Sequence, residues 1–266
     1  ALGLHGSALS TILTSLLTLC AYYAAICIDR KLRRYHILGR WWRAEWSRLR
    51  DILKIGTPIA LTVIAEGGLF GSAAFLMGLI GPAQLAGHTI ALQVAAFAFQ
   101  LPFGVGQAVT IRVGYHFGAK NHAAISQAGK AAMLVCVVFS FVAAAAMVAF
   151  PRQILAAYVD TTAPANAAMV GFAVQYLVIA AAFQLFDGTQ AVAAGALRGL
   201  QDTRMPMIMA LGGYWLGGFA TAIYLGFALR MGGLGVWLGL ATGLILVSAL
   251  LLMRWQSRGR LGLLPQ

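Results

Sequence analysis

Two carboxylates in this chain lie where water is scarce. Glu66 is the only charged side chain in GTPIALTVIAEGGLFGSAAFLMGLIG, residues 56–81, and Asp187 is the only one in the apolar run 167–197. Glu66 is about 11 residues from the start of its run and Asp187 about 10 from the end of its own, so at about 1.5 Å per helical residue both are expected roughly 15 Å deep. A charged carboxylate at such a depth costs at least about 2.5–3.5 kcal/mol on insertion scales, so it faces a cavity, a partner or a bound cation, or it stays protonated. Burial favours the neutral acid and a nearby cation favours the carboxylate. One such group can therefore exchange a proton for Na⁺ or for a cationic substrate, and two at one depth can couple the two events. If sodium is the ion, Glu66 and Asp187 are its expected ligands. The plainer alternative is a protonated acid hydrogen-bonded to a neighbouring helix.

Amide side chains accompany the acids. Gln184 and Gln190 flank Asp187 at three-residue spacing, on one helical face. Gln93, Gln100 and Gln107 recur every seven residues with Thr89 nearby. The expectation is that these five glutamines line one cavity; interhelical hydrogen bonding is the alternative for the Gln93 stripe. His88 has an ordinary pKa close to neutrality but lies near the end of its run, where a structural role is expected. No H-E-x-x-H, G-x-S-x-G or P-loop pattern occurs, so the chain is not expected to be an enzyme, and no cofactor is implied beyond Na⁺ or H⁺ as a coupling ion.

The elements that must hold these residues follow from composition. Hydrophobic residues make up 61% of 266 positions and charged residues 10%, more apolar than a soluble domain. Runs of about 20 apolar residues recur, matching helices across a hydrocarbon core of about 30 Å, and the short alternating strands of a membrane barrel are absent. The fold class is an all-α integral membrane bundle. Seven spans are predicted, near 4–28, 55–80, 85–117, 126–150, 167–197, 206–229 and 234–253.

The net charge of +12 does not indicate nucleic acid, because of where the cations fall. Nine Lys/Arg lie in 30–54; Arg112, Lys120, Lys130, Arg198, Arg204, Arg254, Arg258 and Arg260 share that side if the spans alternate, and only Arg152 and Arg230 fall on the other. The positive-inside rule then predicts a cytoplasmic 29–54 linker and a cytoplasmic C-terminus. The linker interleaves its cations with Trp41, Trp42 and Trp46, the chemistry of a segment lying against lipid headgroups; the plainer reading is a solvated connector that only fixes topology. The first span is followed at once by Arg30, Lys31, Arg33 and Arg34, which reads as a retained helix with an outward N-terminus. With an odd number of spans, further helices are expected upstream.

Small residues at four-residue spacing mark close helix contacts: Gly67 with Gly71, Gly195 with Gly199, Gly213 with Gly217, and Gly235, Gly239 and Gly243. Pro58, Pro102 and Pro206 lie at or within spans, with Pro102 the best candidate for a kink. Cys20, Cys27 and Cys136 form no C-x-x-C pair and are expected to pack as apolar side chains. In RGLQDTR, 198–204, the charges of Arg198, Asp202 and Arg204 are expected to satisfy one another in a turn, with a role as gate or topology charges the alternative.

Four stretches carry a family likeness: IGTPIALTVIAEGGLFGSAAFLMGLIGPAQLAGHTIALQ, LPFGVGQAVTIRVGYHFGAKN, FDGTQAVAAGALRGLQDTRMPM and GLGVWLGLATG. In order and spacing they resemble the multidrug and toxic compound extrusion (MATE) family, in its bacterial NorM-like branch, over nearly the whole chain. The resemblance implies twelve helices in two bundles of six. Of these, 1–28 would be the last helix of the N-terminal bundle, 29–54 the linker, and 55–266 the complete six-helix C-terminal bundle with a basic tail. It further implies export of organic cations and drugs in exchange for Na⁺ or H⁺, with Glu66 in AEGG and Asp187 in FDGTQ at the two acidic positions assigned to coupling. The expected partners are cationic or amphipathic drug-like substrates, membrane lipids and the missing N-terminal bundle, with no nucleic acid. The expected location is the bacterial inner membrane. Two alternatives stay open: a lipid-linked oligosaccharide flippase of the same superfamily, against which the lack of mid-membrane Arg or Lys counts, and a non-transporting membrane fragment.

Overall fold

A computed structural model describes residues 3–29 and 45–265. The reading of Trp41 and Trp42 as interfacial residues falls outside them. Among the described residues eight helices follow in order, besides a single 3-10 turn at Pro164–Asn166: α1 Gly3–Ile28, α2 Trp46–Ile80, α3 Pro82–Gly118, α4 His122–Ala149, the short α5 Pro151–Ala156, α6 Ala167–Gly199, α7 Arg204–Ala228 and α8 Gly233–Gln256. All but α5 are long and apolar enough to cross a membrane, and the described residues contain no strand. α2 starts at Trp46, nine residues before the predicted 55. No Gly or Pro interrupts 46–55, and the long basic side chains there can extend from a helix toward water.

The helix ends follow local chemistry. Pro82 and Pro151 occupy first turns, where a missing N–H costs nothing, and the Asn121 side chain accepts from the Ala124 N–H at 3.0 Å to cap α4. Asp160, in the loop before α6, accepts from the Thr162 hydroxyl at 2.6 Å and its N–H at 2.9 Å, which holds the Asp160 carboxyl below its usual range. Pro58 and Pro102 both lie inside continuous helices.

The chain divides into two compact units, Ala1–Leu53 and Lys54–Gln266. The first holds α1 and the opening turns of α2. In the second, α6 is central and packs on α3, α4 and α8, while α7 runs against α8. Helices in lipid gain little from the hydrophobic effect and associate by close packing. Glycines supply it here: a methyl added at Gly195 would strike the Gly106 carbonyl, and one at Gly239 would strike Ala222. Thr110 Oγ1, 2.8 Å from Gly106 O and 2.9 Å from Gly195 O, shares its proton between α3 and α6. Gly67 and Gly71 do not join these seams, since nothing lies within 4 Å of a methyl added at either. α2 instead meets α7 through a large side chain, Trp215 against Gly68, and so stands further off. α7 widens to π-helical turns over Gly212–Phe219 and Tyr224–Ala228.

The charges of the 198–204 turn are satisfied differently from expectation. Asp202 is gripped by Arg254 of α8, Nε at 2.6 Å and Nη2 at 3.2 Å, rather than by Arg198 or Arg204. The fork geometry of a guanidinium suits a carboxylate, and α8 ends beside the turn. Cys20, Cys27 and Cys136 are free thiols, with only Cys136 buried.

Candidate functional site

Where α2 stands away from the glycine-packed helices, the second unit has a half-open cavity of about 440 Å³. Each helix contributes one face. α2 presents Thr62, Glu66 and Phe70 at four-residue spacing; α6 presents Phe183, Asp187, Gln190, Ala194 and Arg198 at three- and four-residue spacing. α3 adds Leu92, Ala96, Phe99, Phe103 and Gln107, and α7 adds Tyr214.

Glu66 and Asp187 line this one cavity. Gln190, a turn from Asp187, directs its Nε2 to Glu66 Oε1 at 3.4 Å, a long hydrogen bond that ties the two acids' surroundings together. Asp187 is 5% exposed, and its Oδ1 has no hydrogen-bond partner among the described residues. Neither acid forms an ion pair among the described residues; Asp202 and Glu45 do, with Arg254 and Arg48. No cluster of three or more His, Cys, Asp or Glu is found among the described residues, so any cation here would rest on two carboxylates and neutral oxygens such as those of Gln190 and Tyr214.

Of the five glutamines expected at a cavity, Gln107 and Gln190 line it. Gln93 and Gln100 are exposed and are not part of its wall, and Gln184 is fully buried with neither amide atom partnered. The heptad spacing misled because a straight helix drifts about 20° per seven residues, so the cavity face of α3 follows Leu92, Ala96, Phe99, Phe103 and Gln107 instead. Gln184 falls just past the edge of the α6 face that carries Asp187. His88 is buried edge-on to Trp237, ring centroids 5.5 Å apart, away from the cavity.

The sequence reading missed the aromatic wall of Phe70, Phe99, Phe103, Phe183 and Tyr214, together with Arg198 at one end. The Phe99, Phe103, Gln107 spacing was the available signal. Tyr214 had none, since it lies in a π-helical turn whose register no helical wheel supplies. Acids and aromatic side chains line one chamber, a chemistry suited to flat organic cations.

The MatE family model matches residues 58–223. A "Probable multidrug resistance protein NorM" of Mesorhizobium japonicum is 45% identical over 261 residues, covering 98% of this chain and 56% of that protein. A protein of the same name from Brucella suis is 42% identical over 255 residues, covering 96% and 54%. The chain thus spans about half the length of the curated relatives it matches. The crystal structure of the eukaryotic MATE transporter AtDTX14 aligns with a TM-score of 0.78 at 21% identity, over 92% of this chain and 55% of that one, a likeness of fold. The matched interval runs through Glu66, Asp187 and Tyr214, more than half of the chain, and with it this membrane protein belongs to the MatE family.

Proposed function

We propose that this chain is the cation-binding half of a multidrug antiporter that exports organic cations and drugs in exchange for Na⁺ or H⁺ by alternating access. The observation that carries the reading is the placement of Glu66 and Asp187 on one aromatic-walled cavity, with neither acid paired to a cationic side chain. When ionised, the two acids attract a cationic drug while Phe99 and Phe103 take up its flat face. When a proton or Na⁺ neutralises them, that attraction is lost and the drug leaves. Arriving cation and departing drug therefore exclude each other, which is the requirement for exchange. Chemistry at the cavity needs no bond to be made or broken, so the activity is transport rather than catalysis.

The names of the relatives support drug substrates, and the cation bias of the loops supports a bacterial inner-membrane protein with a cytoplasmic C-terminus. Because the chain spans about half of those relatives, a second bundle is the proposed partner and opposite wall. The test is retention of a cationic fluorophore in pump-deficient bacteria carrying the full gene, as wild type and as Asp187→Asn. Efflux lost in the mutant at equal membrane levels is the expected result. Efflux that survives, or that never occurs, removes the antiporter reading.

A further inference from the structure

A second hollow, of about 600 Å³, lies between α3 and α4 on the side of α3 away from Glu66 and Asp187. Its two ends differ in chemistry. Near the α3–α4 turn it carries Arg112, His116 and Gln127. Its floor is made of small apolar side chains, chiefly Ala108, Ala131 and Val135. Arg112 lies about 9 Å from the end of α3 and Val105, at the far end of the groove, about 20 Å, by helical rise. A polar mouth at headgroup depth thus opens into an uncharged trough about as long as much of an acyl chain.

The charge at the mouth is unbalanced. Arg112 and the His116 ring make no hydrogen bond or ion pair among the described residues, and no acid lines the groove. Lys120 stands on the adjoining turn, and α4 begins there with the positive end of its dipole. Tyr115 is exposed edge-on to His116, centroids 5.3 Å apart, where aromatic side chains meet headgroups.

We propose that this groove binds one anionic phospholipid. Its phosphate is taken by Arg112 and Gln127 beside His116, and one acyl chain lies over Ala108, Ala131 and Val135. On the proposed topology the leaflet is the cytoplasmic one. α3 then carries two working faces, with lipid bracing the helix on which Phe99, Phe103 and Gln107 stand.

The test is native mass spectrometry of the detergent-purified full-length protein titrated with dioleoylphosphatidylglycerol and with dioleoylphosphatidylcholine. One phosphatidylglycerol should bind about tenfold more tightly than phosphatidylcholine. Arg112→Gln should reduce that preference to about twofold or less, Arg112→Lys should keep most of it, and Arg152→Gln, at the other membrane face, should leave it intact. Ala131→Phe, at an exposed position, should weaken phosphatidylglycerol binding while thermal stability in phosphatidylcholine is unchanged; Ala108→Phe repeats the test if that variant proves unstable. Equal binding of the two lipids, or a preference that survives Arg112→Gln, overturns the proposal. So does soluble glycerophosphoglycerol binding as tightly as the lipid, because the trough would then contribute nothing.

Discussion

Asp187→Asn keeps the shape of the side chain and removes its negative charge, so it separates electrostatics from packing. We expect dye efflux to fall at least about tenfold at unchanged membrane abundance, because an uncompensated buried acid is a functional element in a membrane. Glu66→Gln should act in the same direction and less completely, since Glu66 is only half-buried whereas Asp187 is 5% exposed, and the more buried charge is felt more strongly. Gln190→Leu is a weaker change. The hydrogen bond it removes is 3.4 Å long, and a marginal bond of about 0.5 kcal/mol corresponds to an efflux loss within about threefold. A loss as deep as that of Asp187→Asn would instead make Gln190 a direct ligand. The two acids were legible in the sequence because a charge in an apolar run is conspicuous. Phe99, Phe103 and Phe183 were not, because aromatic residues in apolar runs are commonplace and only their common direction gives them a role.

At the scale of elements, glycine is informative only where a neighbour arrives. Gly195→Leu forces a side chain into the Gly106 backbone, and overpacking of that kind costs about 1–3 kcal/mol or more. The melting temperature in detergent, read by fluorescence-detected size exclusion, should fall accordingly. Gly71→Ala meets nothing within 4 Å and should leave the melting temperature unchanged or slightly raised. The Asp202–Arg254 pair ties the α6–α7 turn to the end of α8, with side chains 8% and 13% exposed. Arg254→Met strands a nearly buried carboxylate and should destabilise by about 3 kcal/mol. Adding Asp202→Asn to it should recover part of the loss, which the same melting assay reads.

For the molecule as a whole, the share of its relatives that the chain covers sets the expectation. Alternating access moves one bundle against another around a central site, and the cavity described here belongs to the second unit alone. Expressed by itself, the 266-residue chain should bind a cationic dye, measured by fluorescence polarisation, and should give no dye efflux above background in pump-deficient cells. Robust efflux by the isolated chain would overturn this expectation. Loss of dye binding in Asp187→Asn would place the dye at the cavity.

The apolar runs by themselves determined the membrane class and the seven spans, because a bilayer imposes one length and one polarity on every crossing helix. The motifs determined the family. Helix rotation was decided only in the folded chain. The heptad of Gln93, Gln100 and Gln107 pointed to one shared face, and packing turned Phe99 and Phe103 inward beside Gln107 while leaving Gln93 and Gln100 outside. The glycine pairs looked alike in sequence, yet Gly195 and Gly239 meet a backbone and Gly67 and Gly71 meet nothing. The reason is physical: a span needs only its own composition to enter lipid, whereas the face it turns to a neighbour depends on close fit with residues far away in the chain, which no local pattern contains.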